Sequence, residues 1–136
     1  MSINTTFKVI VGDYAERHFI KRFKKKYKNI WLTTYKAIDF TLSRINKFKN
    51  KSLVEEIHSC DIGNILKCEF KVAGTNDSPH GSGNRYIVFQ NNEIEECKIL
   101  LLYGKTDIQG DRETDWWEGE IKNNYKEIAK LFSGLQ

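Results

Sequence analysis

Gly81, Gly83, Asn84 and Arg85 lie in the stretch "GSGNRYIVFQ", residues 81–90, where an arginine follows a glycine pair at the mouth of an apparent buried strand. Glycines let a phosphate approach the chain closely, and successive backbone N–H groups can face an anion. A guanidinium at that point can hold the anion through two parallel hydrogen bonds. The structural alternative is that Arg85 only caps the strand edge and pairs with a carboxylate. His80 belongs to the same segment, and residues 74–84 hold three of the nine glycines and the only proline. A polar loop of this length between two strands is more often functional or mobile than structural. Just upstream, period-two alternation over 64–74 puts Lys67, Glu69 and Lys71 on one face and Cys68, Phe70 and Val72 on the other. No group of His, Cys, Asp and Glu has metal-ligand spacing, so neither a metal nor another cofactor is expected.

These side chains need a sheet and its supports. "FKVIVGD" (7–13) reads as a first strand closed by Gly12, and Asp13 with Glu16 reads as a capping box opening a helix. Ala15, Phe19, Phe23 and Tyr27 recur every fourth residue and mark that helix's buried face. Trp31, Tyr35, Ile38, Leu42 and Ile45 form the matching stripe of a second helix, with the turn near Asn29. Both stripes are read as core. Residues 49–63 read as an irregular connection with at most one helical turn. Strands follow at 64–74, 85–90 and 97–105, the last two apolar on both faces and joined through "NNEIEE" as a tight antiparallel hairpin. Asp111 or Thr114 then caps a final helix whose apolar face is Trp117, Ile121, Tyr125, Ile128 and Phe132. The expected fold is α+β, one domain over 1–136, in the order β-α-α-β-β-β-α.

Composition restricts the class. With 136 residues, 40% of them hydrophobic, the chain is long enough for one real core. No apolar run approaches the ~20 residues of a membrane span, and no signal peptide is legible, so no membrane partner is expected. Three cysteines, Cys60, Cys68 and Cys97, are an odd count without paired spacing, which suits buried thiols in a reducing cytoplasm. Residues 1–50 hold 12 Lys+Arg against 3 Asp+Glu, a surplus of +9, whereas residues 51–136 hold 10 against 15, a deficit of −5. The densest basic stretch, "RHFIKRFKKKYK" (17–28), is either a surface for a polyanion or acidic protein, or the solvated face of a helix.

Taken together, a basic helical hairpin, "ILKCEFKVAG", a glycine-rich turn into "GNRYIVF", then "ILLLYGKTD" and a terminal helix resemble the RelE/ParE superfamily of toxins from type II toxin–antitoxin systems. The likeness spans nearly the whole chain by element order and is residue-specific over about 64–107. This sequence departs from the family pattern in three places: only Asn84 separates Gly83 from Arg85, Glu69 stands where many relatives carry a base, and the loop 74–84 is longer. The resemblance implies a RelE-like domain with a mainly antiparallel sheet packed against an N-terminal helical hairpin and a C-terminal helix. It implies an mRNA interferase that cuts RNA, usually at the ribosome, by attack of the 2′-OH without a metal, and that is held in check by a cognate antitoxin. Arg85 matches the phosphate-binding arginine of the family. Gly81, Gly83, Asn84, Lys67 and Lys105 are then substrate-binding positions. Either Glu69 is the base with Lys71 on the phosphate, or Lys71 takes the proton itself, and His80 is a candidate acid. Tyr103 and Lys105 match the motif in which an aromatic stacks on a base and a cation touches the backbone, with core packing the alternative for Tyr103. Trp116, off the apolar stripe, is a second candidate for stacking. The same superfamily includes toxins that inhibit DNA gyrase by binding alone, which leaves a non-catalytic domain as the other reading. The nuclease reading predicts Arg85, Lys71 and Tyr103 or Lys105 together on an open concave face, and a strand-end Arg85→Ala that changes stability by no more than about 1 kcal/mol.

Overall fold

Lys8–Val11 forms β1, and Gly12 turns the chain directly into helix α1, Asp13–Ala15. A computed structural model describes residues 3–51, 53–108 and 112–136. The expected capping box is absent: Gly12 is the N-cap, without a side-chain hydrogen bond, and Asp13 lies in the first turn, where its charge still favours the helix dipole. One π-helical turn, Glu16–Ile20, leads into α2, Lys21–Ser43. Lys28, at φ 39° and ψ −114°, breaks α2 in two one residue before the expected turn. The chain doubles back there, so that Phe23 meets Trp31 at 5.8 Å between ring centroids and Ile20 shares a cleft with Trp31, Leu32 and Tyr35. The predicted helical hairpin is thus present, and its two stripes face inward with Ala15, Phe19, Phe23, Trp31, Ile38 and Leu42 buried. A short α3, Ile45–Phe48, ends it.

The next segment differs from the sequence reading. Val54–Cys60 is a strand, β2, paired antiparallel with β3, Gly63–Phe70. Its pairing slips between Glu56 and His58, so the bulge interrupts the alternation by which strands are recognised. The sheet therefore has five strands, completed by β4, Asn84–Asn91, and β5, Glu96–Gly104, in the order β1-β5-β4-β3-β2. Only β1 runs parallel to its neighbour, β5; the other pairs are antiparallel. β4 and β5 sit centrally, which accounts for their apolar residues on both faces.

The helical hairpin covers one face, where Phe70 packs against Phe23 and Tyr86. The C-terminal elements cover the other: α4, Glu113–Asn124, then α5, Lys126–Ala129, with Phe132 edge-on to Phe89. The predicted single last helix is broken at Tyr125 (φ −137°, ψ 58°). Thr114 lies inside the first turn of α4, whose N-cap is Arg112, and Asp111 lies outside the described residues. The break frees the Tyr125 hydroxyl to donate to Leu100 O (2.8 Å) and accept from Ala15 N (3.1 Å). That hydroxyl leaves room only for glycine at position 12, since a Cβ there would lie 2.5 Å from it. The C-terminus is in this way clasped to the start of α1. Among the described residues no helix is long and apolar enough to cross a membrane.

Candidate active site

Register decides which charges meet. Glu69 of β3 stands opposite Arg85 of β4, and Arg85 stands opposite Tyr103 of β5, so the three share the face covered by α4. Lys67 lies two residues back along β3 on the same side. Of the polar wall expected from Lys67, Glu69 and Lys71, the first two lie on this face of β3, whereas Lys71 lies beyond the strand's end at Phe70. The face is not open. Glu113, in the first turn of α4, accepts from the Tyr103 hydroxyl (2.8 Å) and pairs with Lys67 Nζ (3.1 Å). Trp116 of the same helix packs edge-on to Tyr103, with ring centroids 4.8 Å apart.

Arg85 is only 1% exposed. Its guanidinium donates to Asn84 O (2.9 Å) and His80 O (3.5 Å), lies 3.8 Å from Glu69 Oε1, and leaves Nε without a partner. The expected arrangement, with Arg85 presented to a phosphate on an open concave face, is not what the chain builds. Strand alternation set the face, and α4 with its carboxylate then closed it.

The loop is also more structured than its composition suggests. Ser82 Oγ bonds Phe70 O (2.6 Å) and Pro79 O (2.7 Å), and it accepts from Asn84 N (3.0 Å). Gly81 N–H donates to Ser78 Oγ, and Gly83 N–H to His80 O. The glycine amides expected to face an anion are therefore engaged within the loop. Gly83 is needed for its backbone, at φ +75°, and its carbonyl accepts from Lys105 N (2.9 Å).

This framework holds one exposed titratable ring. His80 Nδ1 sits 3.0 and 3.1 Å from the two oxygens of Glu69, while 77% of the side chain stays exposed, opening the other ring nitrogen to solvent. Phe70, Asn84 and Gly104 are in register, so Lys71 and Lys105 leave the same end of the sheet on either side of β4, both exposed. Lys71 and Lys105 thus remain outside the closed network that holds Lys67 and Tyr103.

Electrostatics sort the roles. Burial, reinforced by the hydrogen bond to Glu113 and its charge, pushes the Tyr103 hydroxyl well above the usual phenol range, so it donates and supplies no phenolate. Burial works against ionised Glu113, yet hydrogen bonds from Tyr103 and Lys67 and the nearby Arg85 charge outweigh it and hold the carboxyl below its ordinary value. Glu113 was missed in the sequence because an acid in a helix's first turn has an ordinary explanation in the helix dipole. Among the described residues no three His, Cys, Asp or Glu side chains are grouped to hold a metal ion.

A solved RelE–RelB complex from the archaeon Pyrococcus horikoshii OT3 superposes on this chain with a TM-score of 0.50, covering 76% of this chain and 99% of that one at 12% identity. The fold is RelE-like. No family model matches the sequence, and no curated protein does. The loop 74–84 joins β3 to β4 at the end of the sheet where Phe70, Asn84 and Gly104 are in register, the end from which Lys71 and Lys105 also leave.

Proposed function

We propose that the chain is the toxin of a type II toxin–antitoxin pair and cleaves RNA in the cytoplasm, with His80 as the group that moves the proton. The observation that carries this reading is the Glu69–His80 pair: a carboxylate fixes one ring nitrogen and the other faces solvent. Imidazole oriented in this way is suited to take the proton of a 2′-OH. The 2′-oxygen then attacks phosphorus, the bond to the 5′-oxygen breaks, and a cyclic phosphate and a 5′-hydroxyl result. Lys71 and Lys105 supply positive charge to the non-bridging oxygens, and one of them returns a proton to the leaving oxygen. Arg85 acts beneath the surface, holding the His80 carbonyl and balancing Glu69, and so is a positioning residue. An antitoxin partner is supported by the complex in which the similar fold was solved and by the basic N-terminal half. Messenger RNA on the ribosome is the substrate proposed with this reading.

A second reading has a specific observation behind it. The buried Arg85 and the Lys67–Glu113–Tyr103 network describe a charge-compensated face, as suits a toxin that binds a target such as DNA gyrase and performs no cleavage. Labelled mRNA, free and on translating ribosomes, separates the two. Wild type should cut it, and His80→Gln should cut roughly 10²–10⁴-fold more slowly. Intact RNA in both settings, with inhibited gyrase, would establish the second reading.

A further inference from the structure

A second cleft opens on the opposite side of the sheet end from Arg85, with a volume of about 290 Å³. The working residues of its wall are Arg22, Lys26 and Tyr27 from the basic first arm of the hairpin, Asn84 from β4, and Thr106 and Asp107 beyond β5. Lys26 Nζ lies over the Tyr27 ring, 5.2 Å from its centre, so a base stacking on that face would displace a mobile cation towards its own phosphate. Arg22 is more than half exposed and lies 3.9 Å from Asp107, whose Oδ2 also accepts from Gly104 N (2.9 Å).

From this arrangement we infer that the cleft is a subsite for one nucleotide of single-stranded RNA, next to the nucleotide cut at His80. Arg22 and Lys26 take the phosphate, Tyr27 stacks on the base, and Asn84, Thr106 and Asp107 offer donors and acceptors to its edge. A carboxylate among the cations suits a ligand that combines an anion with amino or imino donors, as a nucleotide does. An acidic peptide side chain offers only acceptors and so would leave the Asp107 carboxylate without a donor from the ligand. The cleft also joins the first site: Asn84 lines it, while the Asn84 carbonyl accepts from Arg85 and Gly83 adjoins Lys105. A strand can pass over Gly83, which has no side chain to block it. The inference rests on the RNA-cleaving reading.

The test is binding of fluorescent eight-nucleotide U and A oligomers, 2′-O-methylated so that no cleavage can occur, to the intact protein. Arg22→Glu/Lys26→Glu should weaken binding at least tenfold and flatten its salt dependence by about 0.7 logarithmic units per decade of salt, for the one phosphate lost. Tyr27→Leu, which keeps the packing against Phe23, should weaken it roughly 5- to 100-fold. Lys122→Glu/Lys126→Glu makes the same charge change on α4 and α5 and should alter binding less than twofold. Equal loss in the control pair, wild-type affinity in the cleft variants, equal affinity for duplex RNA, or binding of labelled polyglutamate by a protein that binds no RNA would each overturn the inference. Cleavage of unmodified RNA separates the two readings. Cleft-dependent binding without cleavage leaves the subsite and removes the nuclease, whereas cleft variants that cut at wild-type KM remove the subsite and leave the nuclease.

Discussion

Arg85 looks like a surface anion receptor in the sequence and is an internal strut in the fold. Its guanidinium is spent on two backbone carbonyls and a carboxylate, all of which belong to the loop that carries His80 or to its base. Arg85→Ala should therefore cost about 2–4 kcal/mol in chemical denaturation, because Glu69 loses its buried counter-charge. A loss under about 1 kcal/mol, the strand-end expectation, would show that the buried ion pair contributes little. Glu113 offers a pH test. Its folded-state value lies below the ordinary one, so its stabilisation is complete above the unfolded value and is lost as pH falls through the folded value. Glu113→Gln should be less stable than wild type by about 1 kcal/mol at pH 7, with the gap closing towards acid below the usual carboxylate range. A gap unchanged from pH 7 to strong acid would mean that the charge of Glu113 is not what holds Lys67 and Tyr103.

At the scale of elements, the broken C-terminal helix matters more than its length. The same apolar spacing that reads as one continuous face is cut at Tyr125, because the phenol reaches across to Leu100 and the start of α1. Gly12→Ala drives a methyl into that hydroxyl and should cost about 1–3 kcal/mol by overpacking. Tyr125→Phe removes the hydroxyl and both of its bonds, so the double variant should be more stable than the sum of the two losses implies. Strict additivity in thermal unfolding would mean that residues 12 and 125 do not meet as described. β2 offers the complementary lesson. "VEEIHSC" holds enough β-formers for a strand, but two adjacent glutamates and a bulge at Ile57 hide the period of two.

For the molecule as a whole, the charge division in the sequence becomes a division of surfaces. The basic residues 1–50 supply the hairpin on one face of the sheet, and α4, with four acids against one lysine, helps to cover the other. Under the proposed toxin reading, the cationic helical surface suits an acidic antitoxin segment that folds as it binds. The proposed toxin reading predicts that expression of the wild type alone arrests bacterial growth, and that a cognate antitoxin or the His80→Gln change restores it. Harmless accumulation of free wild type to high level would remove the toxin reading.

Local pattern was enough to specify the α+β class, the hairpin stripes, the buried central strands, and a polar loop ahead of Arg85. Those features follow from hydrophobic periodicity and turn chemistry, which operate over a few residues. The cover on each sheet face was beyond that reach. Alternation could put Lys67, Glu69 and Arg85 on one side, yet only the packed chain brings Glu113 over Lys67 and Tyr103, or turns His80 back onto Glu69. These contacts join residues ten or more positions apart, and their side chains compete for a few buried charges. The partner each one takes is decided by distance and burial in the folded state, and that is why the tertiary structure moved the candidate chemistry from Arg85 to His80.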